Sequence, residues 1–108
     1  MDEALRAIAE PHRRRILELV WDRELSAGEI AGRFEVTRPA ISQHLRVLVD
    51  ASLVAERREG TRRYYRARPE GLEDLRAGLE AFWDDGLRRL KAAAEAAERE
   101  GHGHRHTA

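Results

Sequence analysis

Thr37-Arg38-Pro39-Ala40-Ile41-Ser42-Gln43-His44-Leu45-Arg46 is the stretch on which the reading of this chain turns. At helical spacing Ile41, Leu45 and Leu48 share one face, and Arg38, Ser42, Gln43 and Arg46 recur on the outward side. Thr37 is placed to cap the free backbone N–H groups of the first turn. Pro39, in that same turn, removes a donor that has no intrahelical partner there. Short polar side chains and Arg are the types that hydrogen-bond base edges and phosphates, so these residues predict a helix shaped to lie in a DNA groove.

Upstream, Ser26-Ala-Gly-Glu29 has the spacing of a capping box, in which Ser26 and Glu29 each satisfy the other's backbone N–H. It predicts a helix that buries Ile30, Ala31 and Phe34, with only Glu35-Val36 left before Thr37. Two short helices joined this tightly form a helix-turn-helix. Further upstream, Leu5, Ile8 and Ala9 mark a short helix that Glu10-Pro11 interrupts. Pro11 then opens a second helix with an apolar stripe of Ile16, Leu17, Val20 and Trp21. The helix-start triplet Arg13-Arg14-Arg15 reads either as a contact to the phosphate backbone or, the preferred reading, as a solvated face or ion pairs between subunits.

Downstream, Leu53-Val54 leads through a polar run to the turn Glu59-Gly60-Thr61 and on to Arg63-Tyr-Tyr-Arg-Ala67. β-Branched and aromatic residues flank a Gly able to take positive φ, which predicts a β-hairpin over 54–67. The formal net charge of the chain is zero, yet residues 54–68 carry six Arg against Glu56 and Glu59, a local net of +4. Concentrated basic charge is what phosphate binding requires. Pro69 then opens a long helix with Leu72, Leu75, Leu79, Phe82, Trp83, Leu87 and Leu90 on one stripe. A helix over 69–98 spans roughly 45 Å at 1.5 Å per residue, longer than so small a domain, so part of its apolar face is expected to meet a second copy in a homodimer.

At 108 residues the chain fits one domain. The expected fold is mainly α with a small β-hairpin, a winged helix-turn-helix over residues 1–98, followed by a flexible His-containing tail, 99–108. The absence of cysteine excludes a disulfide framework, a thiolate metal site and a cysteine nucleophile, and suits a reducing compartment. No apolar run reaches the ~20 residues of a membrane span, and the acidic start, Met1-Asp2-Glu3, is unlike a signal peptide, so a cytoplasmic protein without membrane contact is expected. Ser42 and His44 are two residues apart on a helix and diverge, so they make no catalytic pair, and no enzyme activity is expected. The tail residues His102, His104 and His106 read either as inert or as a weak, unspecific metal binder.

The strings Thr37-Arg-Pro-Ala-Ile-Ser-Gln-His-Leu45, Leu53-Val54 and Glu59-Gly-Thr-Arg-Arg-Tyr-Tyr65, in this order of elements, resemble the ArsR/SmtB family of bacterial winged helix-turn-helix repressors. The resemblance covers about residues 4–98. It implies a homodimer built from the first and last helices, with Leu5, Ile8, Leu75, Leu79, Phe82, Trp83, Leu87 and Leu90 at the interface. It also implies double-stranded DNA of dyad symmetry as partner and an inducer that releases it. Residue by residue, it implies DNA contacts from Arg38, Ser42, Gln43 and Arg46, and from Thr37, Pro39 and His44 of the same helix, with Thr37 touching the duplex backbone and His44, at the helix edge, reaching a phosphate. Arg58, Thr61, Arg62 and Arg63 would form the wing tip, reaching phosphates or the minor groove. Two departures bear on sensing. Ser26 and Gly28 stand where metal sensors of the family carry thiolates, and residues 69–98 hold no His. Neither familiar metal site is present, no cofactor is expected, and the inducer is open. The alternatives are a metal-responsive sensor acting through the His tail and a winged-helix module for protein contacts.

Overall fold

The computed structural model describes residues 1–100. In chain order the elements are α1 (Asp2–Ala9), α2 (Pro11–Leu19), β1 (Leu25–Ser26), α3 (Ala27–Ala31), α4 (Arg38–Asp50), β2 (Val54–Glu59), β3 (Arg62–Ala67) and α5 (Pro69–Glu100). The predicted helix, helix, helix-turn-helix, hairpin and long helix are all present. Met1–Arg76 packs as one compact unit, and a second unit begins at Ala77.

The first unit is organised around one apolar cluster. Ile41, Leu45 and Leu48, the inward face of α4, are all at most 1% exposed, and they meet Ile16 and Val20 of the α2 region, Ile30 of α3, and Leu53 and Val54 at the start of the wing. Burying side chains of this size stabilises by roughly 1.5–3 kcal/mol each. The fold spends this burial on the inner face of α4, and that holds its outer face in place.

The sheet is larger than the hairpin read from the sequence. β2 and β3 pair antiparallel from Val54↔Ala67 to Glu59↔Arg62, and β1 adds to the other side of β3 through Leu25↔Tyr65 and Ser26↔Tyr64. A two-residue strand is too short to leave an alternating pattern. Its cause is tertiary: Leu25 is buried under the wing, and Ser26 pairs with β3 as it caps α3. Gly60 takes φ +62° at the hairpin turn, as its position required.

Three other points depart from the sequence reading. α3 ends at Ala31 rather than reaching Phe34, because bonds from Arg33 N to Ile30 O and from Phe34 N to Ala31 O tighten its last turn. The turn of the motif therefore runs over residues 32–36. The α2 stripe ends at Val20, whose carbonyl accepts from Ala67 N at 2.9 Å; the chain swings toward the sheet there and leaves Trp21 57% exposed. Arg13 and Arg14 also make contacts within the protomer that the sequence did not announce. Arg13 Nε donates to Ala7 O and Arg14 Nη1 to Ile8 O, both at 2.6 Å, so the two close the carbonyl end of α1. The third member, Arg15, stands over the Phe34 ring.

α4 ends with Ser52 in the left-handed region, φ 62°, with Ser52 N bonded to Val49 O and Leu53 N to Leu48 O. This is the Schellman pattern with serine where glycine is usual. The start of α5 rests against it: a Cβ on Gly71 would stand 1.8 Å from Ser52 O, so only glycine fits. Leu75 completes the core of this unit at 8% exposure, while Leu5 and Ile8 pack against it partly buried.

Within the second unit no residue among those described is buried. Leu79, Phe82, Trp83, Leu87 and Leu90 are exposed, Phe82 at 67% and Leu90 at 66%. No helix among the described residues is long and apolar enough to cross a membrane. His102, His104 and His106 lie outside the described residues.

Candidate nucleic-acid interface

The capping chemistry at the start of α4 is the one foreseen. Thr37 Oγ1 accepts from Ala40 N at 3.3 Å, and Pro39 sits in the first turn. The capping box at α3 closes both ways, with Ser26 N donating to Glu29 Oε1 at 2.9 Å and Glu29 N to Ser26 Oγ at 3.1 Å. The hydrogen bond from the Ser26 backbone holds the Glu29 carboxyl below the usual carboxylate range, and the hydroxyl of Ser26 adds to this. Both helices of the motif therefore begin at fixed positions.

An open groove of ≈ 770 Å³ lies between α4 and the wing. Arg38, Ser42, Gln43 and Arg46 line one wall, and Thr61, Arg62 and Arg63 line the other. Seven residues singled out from sequence are thus brought to one concavity. Ser26, Ala27 and Gly28 border it from the start of α3. Two further lining residues, Glu56 and Tyr65, were not anticipated. The signal was available, because Glu56 and Tyr65 are register partners and side chains facing each other across an antiparallel pair share a face. The Tyr65 hydroxyl donates to Glu56 Oε2 at 3.0 Å; burial first, and this bond second, push the phenol above its ordinary value.

Thr37 and Pro39 are exposed but do not line the groove, and Arg58 lies opposite Arg63 on β2, also outside it. His44 is turned toward α2. Its Nδ1 lies 3.3 Å from Arg13 Nη1 and 3.8 Å from Glu10 Oε2, and its ring lies parallel to that of His12 with centroids 5.6 Å apart. Loss of hydration lowers the His44 pKa from its ordinary value; Glu10 opposes this, and Arg13 and His12 reinforce it. Glu10 caps α2, accepting from Arg13 N at 3.0 Å and pairing with His12 Nδ1 at 2.8 Å. Partial burial pushes the Glu10 carboxyl up, but the His12 and Arg13 hydrogen bonds and the neighbouring imidazoles outweigh it and hold the carboxyl low.

The wing's charge is less available than the count of +4 suggests. Arg57 donates from Nε and Nη2 to the two oxygens of Glu24, at 3.0 and 2.8 Å, and from Nη1 to Glu59 at 3.0 Å, and its guanidinium covers the Tyr64 ring. Its pKa is raised, by Glu24 first and Glu59 next, while Arg57 in turn holds Glu24 below the carboxylate range. Arg66 is drawn to Asp22 O and Arg68 to Glu70. Arg58, Arg62 and Arg63 make no ion pair among the described residues, and Arg62 and Arg63 face the groove.

A polar, Arg-bearing helix held on a buried apolar face, beside a basic hairpin across an open groove, defines a winged helix-turn-helix DNA-binding transcriptional regulator. A helix-turn-helix domain model matches residues 8–57. The chain is 46% identical over 86 residues to the HTH-type transcriptional regulator Rv2034 of Mycobacterium tuberculosis, with 80% of each chain covered. It is 36% identical over 74 residues to the transcriptional repressor SdpR of Bacillus subtilis, covering 68% of this chain and 82% of that one. An ArsR-like transcriptional regulator from Rhodococcus sp. RHA1 superposes with TM-score 0.74 at 30% identity, over 89% of this chain and 91% of that structure. The chain belongs to the ArsR/SmtB family of winged-helix transcriptional regulators.

Proposed function

We propose that the protein is a homodimeric repressor that binds an inverted-repeat operator. Each protomer places α4 in one of two successive major grooves about 34 Å apart and sets the tip of its wing on the flanking backbone. The observation that carries this reading is the groove itself, where Arg38, Ser42, Gln43 and Arg46 of α4 stand across from Thr61, Arg62 and Arg63 of the wing. Gln43, Arg38, Ser42 and Arg46 read base edges; Arg62 and Arg63 neutralise phosphates. Thr37, Pro39 and Arg58 lie beside the duplex rather than in the groove. His44 serves the protein's own packing.

Dimerisation rests on the apolar side chains exposed beyond Ala77. Soluble proteins rarely leave Leu79, Phe82, Trp83, Leu87 and Leu90 uncovered together, and a second copy offers the matching surface. Working on DNA, such a repressor acts in the cytoplasm and carries out no catalytic step. Fluorescence anisotropy on DNA from upstream of the protein's own gene, against a scrambled duplex, tests the reading. Preference for the upstream DNA by a factor of a thousand or so supports it; equal binding to both, or none to either, refutes it. In sedimentation, Phe82→Asp yields monomers if the interface is the one described, and a persistent dimer places it elsewhere.

A further inference from the structure

We propose that Glu10, His12 and His44 form a binding site for one divalent transition-metal ion of the zinc class, joining the start of α2 to the recognition helix. Each residue offers a donor atom within 4.8 Å of the other two, and no other such set occurs among the described residues. The fold assembles the set across more than thirty residues of sequence. Glu10 and His12 flank the α2 entry, and His44 comes from the middle of α4, between Gln43 and Leu45.

The donor set suits the class. Two imidazoles and one carboxylate bind zinc, cobalt or nickel, and three protein donors leave a position for water. Metal–nitrogen distances near 2.0–2.1 Å bring tetrahedral donors to roughly 3.3 Å of one another, so the present spacing closes by about 1.5 Å at most. Glu10 Oε1 already lies 2.8 Å from His12 Nδ1, and its other oxygen 3.8 Å from His44 Nδ1. His12 is 42% exposed and provides the route of entry, while His44, at 20%, is held by its surroundings.

Arg13 is the group that opposes a cation here. Its Nη1 lies 3.3 Å from His44 Nδ1, but its fork is anchored more closely, at 2.6 Å from Nε to Ala7 O and 3.0 Å from Nη2 to Arg6 O. Arginine has no acceptor, so that ring nitrogen of His44 is the accepting one, and its lone pair is the one a metal needs. Binding exchanges the long Arg13 contact for the metal bond. This site is separate from the positions of Ser26 and Gly28, from the last helix and from the tail, and it stands whether or not the operator reading does.

The test uses the full chain carrying H102Q, H104Q and H106Q, so that the tail offers no imidazole. Cobalt(II) is titrated while the visible bands of low-symmetry cobalt are followed, and zinc is then added in competition. The expected result is one cobalt per protomer, displaced by zinc, with His12→Gln weakening affinity at least tenfold, on the order of the 10–100-fold lost when a metal site is impaired. Zinc raises the melting temperature of the tail-substituted chain and leaves that of its His12→Gln form unchanged. Glu10→Gln, which keeps an oxygen for the Arg13 N–H, weakens binding in the same way. Absence of saturable binding below about a hundredfold molar excess of metal overturns the proposal, as does equal affinity in the His12→Gln form.

Discussion

The recognition helix and the wing face each other across one groove, yet they are built on opposite terms. α4 buries Ile41, Leu45 and Leu48 almost completely and keeps Arg38, Ser42, Gln43 and Arg46 exposed toward the groove. The wing buries Val54, Tyr65 and Ala67 at its base, and part of its basic charge is consumed by the protein's own carboxylates and carbonyls. On the helix, the polar residues that stand out in the sequence are those that line the groove. On the wing, a count of arginines overstates what a phosphate meets, since Arg57 is committed to Glu24 and Glu59 while Arg62 and Arg63 are not.

The contrast is broken most severely by removing the helix's anchor. Leu45→Ala leaves a cavity beneath α4 and is expected to lower unfolding free energy by about 2–5 kcal/mol in urea titration. A loss below 1 kcal/mol would mean that the buried face does not hold the helix in place. Next in size are the base readers: Gln43→Ala is expected to weaken operator binding by roughly 1–3 kcal/mol and to leave random DNA unaffected. Equal losses on both would remove Gln43 from readout. Thr37→Ala deletes the cap of α4 and is expected to cost about 1 kcal/mol of stability.

The wing supplies the finer comparison. Arg62→Ala should weaken all DNA alike and reduce the salt slope of the dimer by about 2, one contact being lost from each subunit, whereas Arg57→Ala should leave the slope unchanged. If Arg57→Ala reduces the slope as much as Arg62→Ala does, the ion pairs with Glu24 and Glu59 do not withhold that charge from DNA. Smallest is a pH effect. The Glu24 carboxyl is depressed by Arg57, so its contribution is present above the ordinary carboxylate pKa and disappears as pH falls through the lowered one. Glu24→Gln is expected to flatten the acid limb of thermal stability slightly and to leave stability at pH 7 almost unchanged, since the pair is exposed.

The parts of the molecule visible in its sequence are those whose causes are local. Thr37 caps and Pro39 opens within three residues of the helix they start, the Ser26–Glu29 box closes over a single turn, and Gly60 lies at the hairpin bend its φ of +62° requires. What escaped the reading depends on distant partners. β1 exists because Leu25 meets Tyr65, forty residues later in the chain, and the charge of Arg57, counted in the wing's +4, is taken up because Glu24 stands beside it. Ser52 carries a left-handed φ that its residue type does not announce, and the space that excludes a Cβ at Gly71 is set by the carbonyl of that serine. Arg13 and Arg14, read as a surface triplet with Arg15, close the end of a helix that precedes them.

In the proposed function, DNA binds in the groove between α4 and the wing. Its most direct test is the affinity of the full chain for its operator, measured from 50 to 300 mM salt. A dimer neutralising about eight phosphates is predicted to give a logarithmic slope near −7, falling to about −5 when Arg62→Ala removes one contact from each subunit. A slope near zero, or one that Arg62→Ala leaves unchanged, would contradict it.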